Sequence, residues 1–313
     1  MVTKNRDGES DSLSSAGHRL GQIVGDWWET QVVYPLLSEV AEAGGLFLDN
    51  RIVSRTCRRE KVQWADVEGN FVDYDYVLEL GGSQTVKGVP VAFLESFWRR
   101  GARHSKDKAR DDTNKLLPMR DTYPTARFLA IAACGEFTEP AKEYVRSRNV
   151  ELFFISKDKI IEAFLTIGAT IDYPDSLAED RKMALVRDLE QKFSASNQVV
   201  VAKNLRSIAG TGAFSSFKQR ILGSLTATPQ EIRIFSLARF GPVVFDSIDK
   251  ADAYLGASSQ SFPSSSEATQ YEYEVSFSDG SVFSRALNTL AEVRQVNTQL
   301  LNLVKHFSNF GAA

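Results

Sequence analysis

Apolar residues recur at helical spacing through "LGQIVGDWWETQVVYPLLSEVAEA" (20–43), at Ile23, Val24, Trp27, Val33, Leu36, Leu37 and Val40, and the pattern stops at Gly44-Gly45. The spacing predicts one helix, bent at Pro35. The period then changes to two. "LFLDNRIVS", "VQWADVEGNFVDYDYVLEL" with a turn at Glu68-Gly69-Asn70, and "VPVAFLESFW" read as three strands. Ser105 is placed to cap a helix from Lys106 to about Leu117, stopped by Pro118. "RFLAIAAC" and "VELFFIS" are apolar enough for buried strands, each followed by a helix that Thr138 or Ser156 is placed to cap. The expected order is helix, three strands, helix, strand, helix, strand, helix.

The pattern changes after Tyr173. Two helical stretches, "PDSLAEDRKMALVRDLEQKF" and "NLRSIAGTGAFSSFKQRILGSL", read as a helical connector over 173–225. From 226 to 313, short strands, a short helix "KADAYLG", a Ser-rich loop, the strand "YEYEVSFSDGS" with a turn at Asp279-Gly280 and a final helix predict a small α+β accessory domain. Residues 1–18 are polar, without the apolar core of a signal peptide, and read as a flexible leader. No apolar run approaches membrane-spanning length, so a cytoplasmic protein without membrane attachment is expected. Cys57 and Cys134, the only cysteines, have no metal-ligand spacing and suit a reducing compartment.

The formal charge of -3 gives no global attraction to polyanions, so such a site has to be local. One basic stretch qualifies: Arg99 to Arg120 holds eight Lys or Arg against three Asp. Directly before it, Glu95 shares a strand face with Val91, Phe93 and Phe97, and a carboxylate in an apolar stripe is costly to bury unless paired or bound to a cation. On the preceding strand, alternation groups Asp73, Asp75, Val77 and Glu79. Two adjacent strands delivering Asp75 and Glu95 would offer hard oxygen ligands to Mg²⁺. Glu29, in line with Val33, Leu36 and Val40, is a third inward acid. The competing readings are a structural acid–arginine network for Asp75 and Glu95, an edge-of-stripe carboxylate for Glu29, and a solvated helix face for the basic run. Trp27, Trp28, Trp64 and Trp98 read as core before they read as base-stacking platforms.

The order of elements over residues 19–172, with Asp75 in the second strand and Glu95 near the end of the third, resembles the PD-(D/E)XK nuclease superfamily, the restriction-endonuclease-like fold. The resemblance implies an α/β domain with a mixed central sheet flanked by helices, in which Asp75 and Glu95 are the metal-holding acids and Mg²⁺, with Mn²⁺ as a substitute, is the cofactor. Tyr74 stands at the family's proline position and Phe97 at its lysine position. The family tolerates relocation of that lysine, and the helix after the Glu95 strand offers Lys106 and Lys108. Lys108 is preferred because Lys106 lies nearer the exposed cap, with Arg99 as competitor. Arg99, Arg100, Arg103, His104 and Lys106 are the expected DNA-phosphate contacts. The expected function is a Mg²⁺-dependent endodeoxyribonuclease in restriction or anti-phage defence, acting on DNA with a homodimer or a defence partner protein. The alternatives are a catalytically inactive nuclease-like subunit that binds nucleic acid or scaffolds, and an RNA-cutting enzyme with the same site.

Overall fold

A computed structural model describes residues 15–103, 105–236, 241–257 and 270–310. The N-terminal apolar stripe forms α1 (Ala16–Trp27), a π-helical segment (Trp28–Val33) and α2 (Tyr34–Gly44), in one continuous run. Pro35, which has no N–H to donate, lies just beyond the widened turn, where Tyr34 N–H bonds to Glu29 O. The expected bend is thus resolved as a π-bulge. The indole N–H of Trp28 donates to Ala132 O at 3.1 Å and the Tyr76 hydroxyl to Glu29 O at 2.9 Å, fixing the bulge against the sheet.

The sheet contains β1 (Phe47–Asn50), β4 (Tyr76–Leu80), β5 (Val89–Arg99), β6 (Phe128–Gly135) and β7 (Glu151–Ser156), in the order β1-β4-β5-β6-β7. The first two pairings are antiparallel and the last two parallel, so the sheet is mixed. The second expected strand is divided. β2 (Gln63–Ala65) and β3 (Phe71–Asp73) make a separate hairpin around the Glu68-Gly69-Asn70 turn, and the chain breaks at Tyr74-Asp75 before β4. Asp75 therefore precedes its strand instead of lying within it.

Helices cover both faces. Against one lie α3 (Ser105–Thr122) and α4 (Glu139–Ser147), enclosing Phe93, Phe97, Leu116 and Met119. α3 passes through Pro118, where the sequence predicted its end, because the continuation buries Met119 completely. Against the other face pack α1, α2, α5 (Lys157–Leu165), α6 (Glu179–Lys192), α7 (Ala195–Ala209) and α8 (Thr211–Thr226). The last three correct the expected connector: Leu189, Leu205, Phe217 and Ile221 share one core with Trp28, Phe128 and Phe164. Residues 173–225 are thus a second helical tier of the first domain. The expected leader also ends earlier, since Ser15 caps α1 and Ala16 N–H bonds to Glu179 Oε1.

The C-terminal unit has its own core beneath a four-stranded antiparallel sheet, with β8 (Pro229–Ser236), β9 (Val243–Phe245), β10 (Tyr271–Phe277) and β11 (Val282–Leu287) in the order β11-β10-β8-β9. α9 (Ile248–Ala257) and α10 (Leu290–Phe310) cover it, and buried Asn297 bridges them by accepting from Tyr273 Oη and donating to Asp252. Its Tyr, Val and Ile alternation is the α+β pattern expected from the sequence. Among the described residues no helix is long and apolar enough to cross a membrane.

Candidate active site

The antiparallel pairing of β4 with β5 brings the two strand acids together. Tyr76 pairs with Leu94, so the preceding Asp75 lies across from Glu95, and its Oδ2 accepts the Ser96 N–H at 2.8 Å. Glu95 points to the α3 face with Phe93 and Phe97 and is 3% exposed. Val91 does not share that face as expected: a register shift at Leu78/Glu79 turns it into the opposite core.

The lysine reaching Glu95 is Lys115, two turns beyond the expected Lys108. Its Nζ lies 2.7 Å from Glu95 Oε1. Tyr74 positions it from below, donating its hydroxyl to Lys115 O at 3.0 Å, with the ammonium 5.2 Å from the Tyr74 ring centre. Lys108 instead pairs with buried Asp112 at 2.7 Å and sits over the Phe97 ring. Phe97, at the family's lysine position, is committed to packing against Phe137. Lys108, Asp112 and Lys115 stand at i, i+4 and i+7, one face of α3, adjoining the buried Ala109–Leu116 stripe. That spacing was the available signal for Lys115.

Glu29 enters from the π-bulge on the other side of the sheet and is 8% exposed. Arg51, just past β1, holds its carboxylate bidentately at 2.5 to 3.1 Å and lies 3.4 Å from Asp75 Oδ1. The sequence did not single out Arg51. Four carboxylates (Glu29, Asp75, Glu95, Asp112) thus meet three cations (Arg51, Lys108, Lys115). Burial, with Asp75 and Asp112 nearby, pushes Glu95 up to about 8 against the opposing pull of Lys115. Burial also raises Asp112 and Glu29. Asp112 Oδ2 is buried without a hydrogen-bond partner, so the network is incomplete.

The expected phosphate contacts fare unevenly. Arg100 is engaged with Asp175, Asp172 and the carbonyl of Tyr173, stacked on the Tyr173 ring. Arg99 is half-buried beside Gly135, where a Cβ would stand 1.9 Å from Arg99 O. Arg103 and Lys106 are exposed near the start of α3, and His104 lies outside the described residues. Of the tryptophans, Trp27, Trp28 and Trp64 are buried and Trp98 packs against the core, as expected.

Among the described residues no group of three or more His, Cys, Asp or Glu side chains is arranged to hold a metal ion. The hard donors are Asp75, Glu95 and the Ser96 carbonyl, with Lys115 on Glu95 Oε1. Two carboxylates suit Mg²⁺, which keeps several waters and completes its shell with substrate phosphate. Comparison of the chain with protein-family models, with curated proteins and with solved structures returns no match.

Proposed function

We propose that the protein is a divalent-metal-dependent phosphodiester hydrolase of the restriction-endonuclease-like type, acting on DNA. The observation that carries this reading is the convergence of Asp75, Glu95 and Lys115 from three elements, with a strand acid and a helix lysine 2.7 Å apart. Asp75, Glu95 and the Ser96 carbonyl would hold Mg²⁺, which supplies polarisation of the phosphate and acidification of a bound water. Lys115 is fixed beside Glu95 to orient the attacking water and offset negative charge developing at phosphorus. Lys108 and the exposed Arg103 and Lys106 extend the positive edge along which a nucleic-acid backbone would lie.

A restriction or anti-phage role rests on the resemblance alone. Cutting both strands with one site per chain calls for two copies, which makes a homodimer or a defence partner part of the proposal. A second reading has its own observation. Arg51 bridges Glu29 and Asp75, so an internal cation already compensates part of the acidic cluster, as a catalytically silent binding or scaffolding subunit would require.

The test is incubation of plasmid, linear duplex DNA and RNA with the protein in Mg²⁺, Mn²⁺ or EDTA, beside Glu95→Ala. Divalent-dependent scission of DNA that Glu95→Ala abolishes supports the nuclease, and scission confined to RNA changes the substrate. Salt-sensitive binding without scission supports the silent subunit.

A further inference from the structure

At the far end of the same sheet, the two units of the chain enclose a cleft of about 940 Å³. Four arginines from four elements line it: Arg120 from the end of α3, Arg127 from the entry to β6, Arg146 from α4 and Arg220 from α8. Only two carboxylates, Glu151 and Asp279, stand among them. In a chain of formal charge -3 this is a concentrated positive site.

Arg127 is the centre of it. Its side chain is 6% exposed, yet its contacts with Asp279 are long, at 3.3 and 3.4 Å, and its Nε is buried without a hydrogen-bond partner. Its guanidinium stacks 3.3 Å from the Phe277 ring centre and donates to Ser281 Oγ at 2.8 Å, so it grips the β10–β11 turn. Arg120 donates to the Asn149 carbonyl instead of a carboxylate. Burial pulls both guanidinium groups below their usual range, Arg127 to about 10, where the charge of Arg120 lowers it further. Two mutually repelling, partly desolvated arginines are the arrangement that a multiply charged anion relieves.

We propose that this cleft binds a multiply phosphorylated small molecule of nucleotide size, held by Arg120, Arg127 and Arg146 against the β10–β11 turn. The volume lies at the upper end of small-molecule sites, roughly 300–1,000 Å³, which suits a nucleotide with two or more phosphates better than a duplex running past an open surface. The site is separate from the candidate active site: Arg127 lies beside Val91 on β5, four residues before Glu95, roughly 13 Å along a strand. α3 joins the two, carrying Lys115 toward Glu95 and Arg120 into the cleft.

Isothermal titration and thermal shift of the full chain with ATP, pyrophosphate and inorganic phosphate would test this, with a duplex oligonucleotide in a parallel arm. Saturable binding of ATP and pyrophosphate, stronger than that of phosphate, is expected. Arg146→Ala, an exposed position, and Arg120→Gln should each weaken it at least tenfold while leaving the circular dichroism unchanged. Absence of saturable binding by ATP and pyrophosphate at millimolar concentration overturns the proposal. So does binding that both variants leave intact, or a loss in the variants confined to the duplex. None of these results depends on whether the protein cuts DNA.

Discussion

Two buried charge networks flank β4, and they are finished differently. At the end of β4 toward Leu80, Arg55 is saturated: it bonds Asp49, both oxygens of Glu79 and the carbonyls of Ser83 and Val86, while Glu79 also accepts the Gly88 N–H. All three side chains are at most 2% exposed. At the Asp75 end, Glu95 Oε1 has the Lys115 ammonium at 2.7 Å, but the neighbouring Asp112 Oδ2 is buried without a hydrogen bond and Glu95 is raised to about 8. A closed network stabilises a fold, whereas an open one keeps free energy in reserve for a ligand. The contrast, more than the presence of acids, marks the second network as the candidate site.

The sharpest way to break the comparison is to open the closed network. Arg55→Ala leaves Glu79 in the interior without its cation, while Asp49 keeps Arg58, and should cost about 3–5 kcal/mol in urea unfolding. If the catalytic reading holds, Lys115→Ala lowers the DNA cleavage rate by about 10²–10³ with little change in stability. Lys108→Ala, which leaves the Glu95 contact intact, lowers it less than tenfold. Equal losses would remove the distinction between the two lysines.

A smaller effect concerns Glu95 itself. Its folded-state value lies above its ordinary one, so the folded protein holds a proton between about pH 4.5 and 8 that the unfolded chain releases. Metal-free stability therefore falls as pH rises through that window. Glu95→Gln, which cannot ionise, should be more stable than the native protein at pH 8 by at least about 1 kcal/mol, with no such gain at pH 5. A thermal melt in EDTA at both values checks this. Smallest of all, Arg51→Gln removes a half-exposed cation from Glu29 and Asp75, and should tighten Mn²⁺ binding a few-fold. Weaker Mn²⁺ binding would make Arg51 a support of the site instead of a competitor for its acids.

Much of this was legible in the chain. The periods of 3.6 and 2 located the helices and strands of the first sheet, and the facing of Asp75 and Glu95 follows from antiparallel neighbours joined by a short loop. Lys115 was missed because the relocated lysine was sought only in the first turns of the helix, nearest the end of the Glu95 strand, where Lys106 and Lys108 lie. Burial of Met119 carries the helix through Thr122, so Lys115 sits firmly in its interior. Arg51 carries no periodic signal, since it follows a four-residue strand and is defined only by its partners across the sheet. The tier from α6 to α8 was hidden for a related reason. Its helices are held by contacts distant in sequence, α6 and α7 on other helices and α8 on the sheet through Phe217 against Phe128 and Phe153, and Gly210, at φ 86°, reads as a linker although it only separates two packed helices.

The most direct test of the central claim, that the open network is a divalent-metal site, is calorimetric titration of Mn²⁺ into the native protein and Glu95→Gln between pH 6.5 and 8.5. Binding at Glu95 must displace its proton, so the native affinity should tighten about tenfold per pH unit below 8 and be lost in the variant. Binding that is independent of pH and unchanged in Glu95→Gln, or no binding at all, would contradict the account.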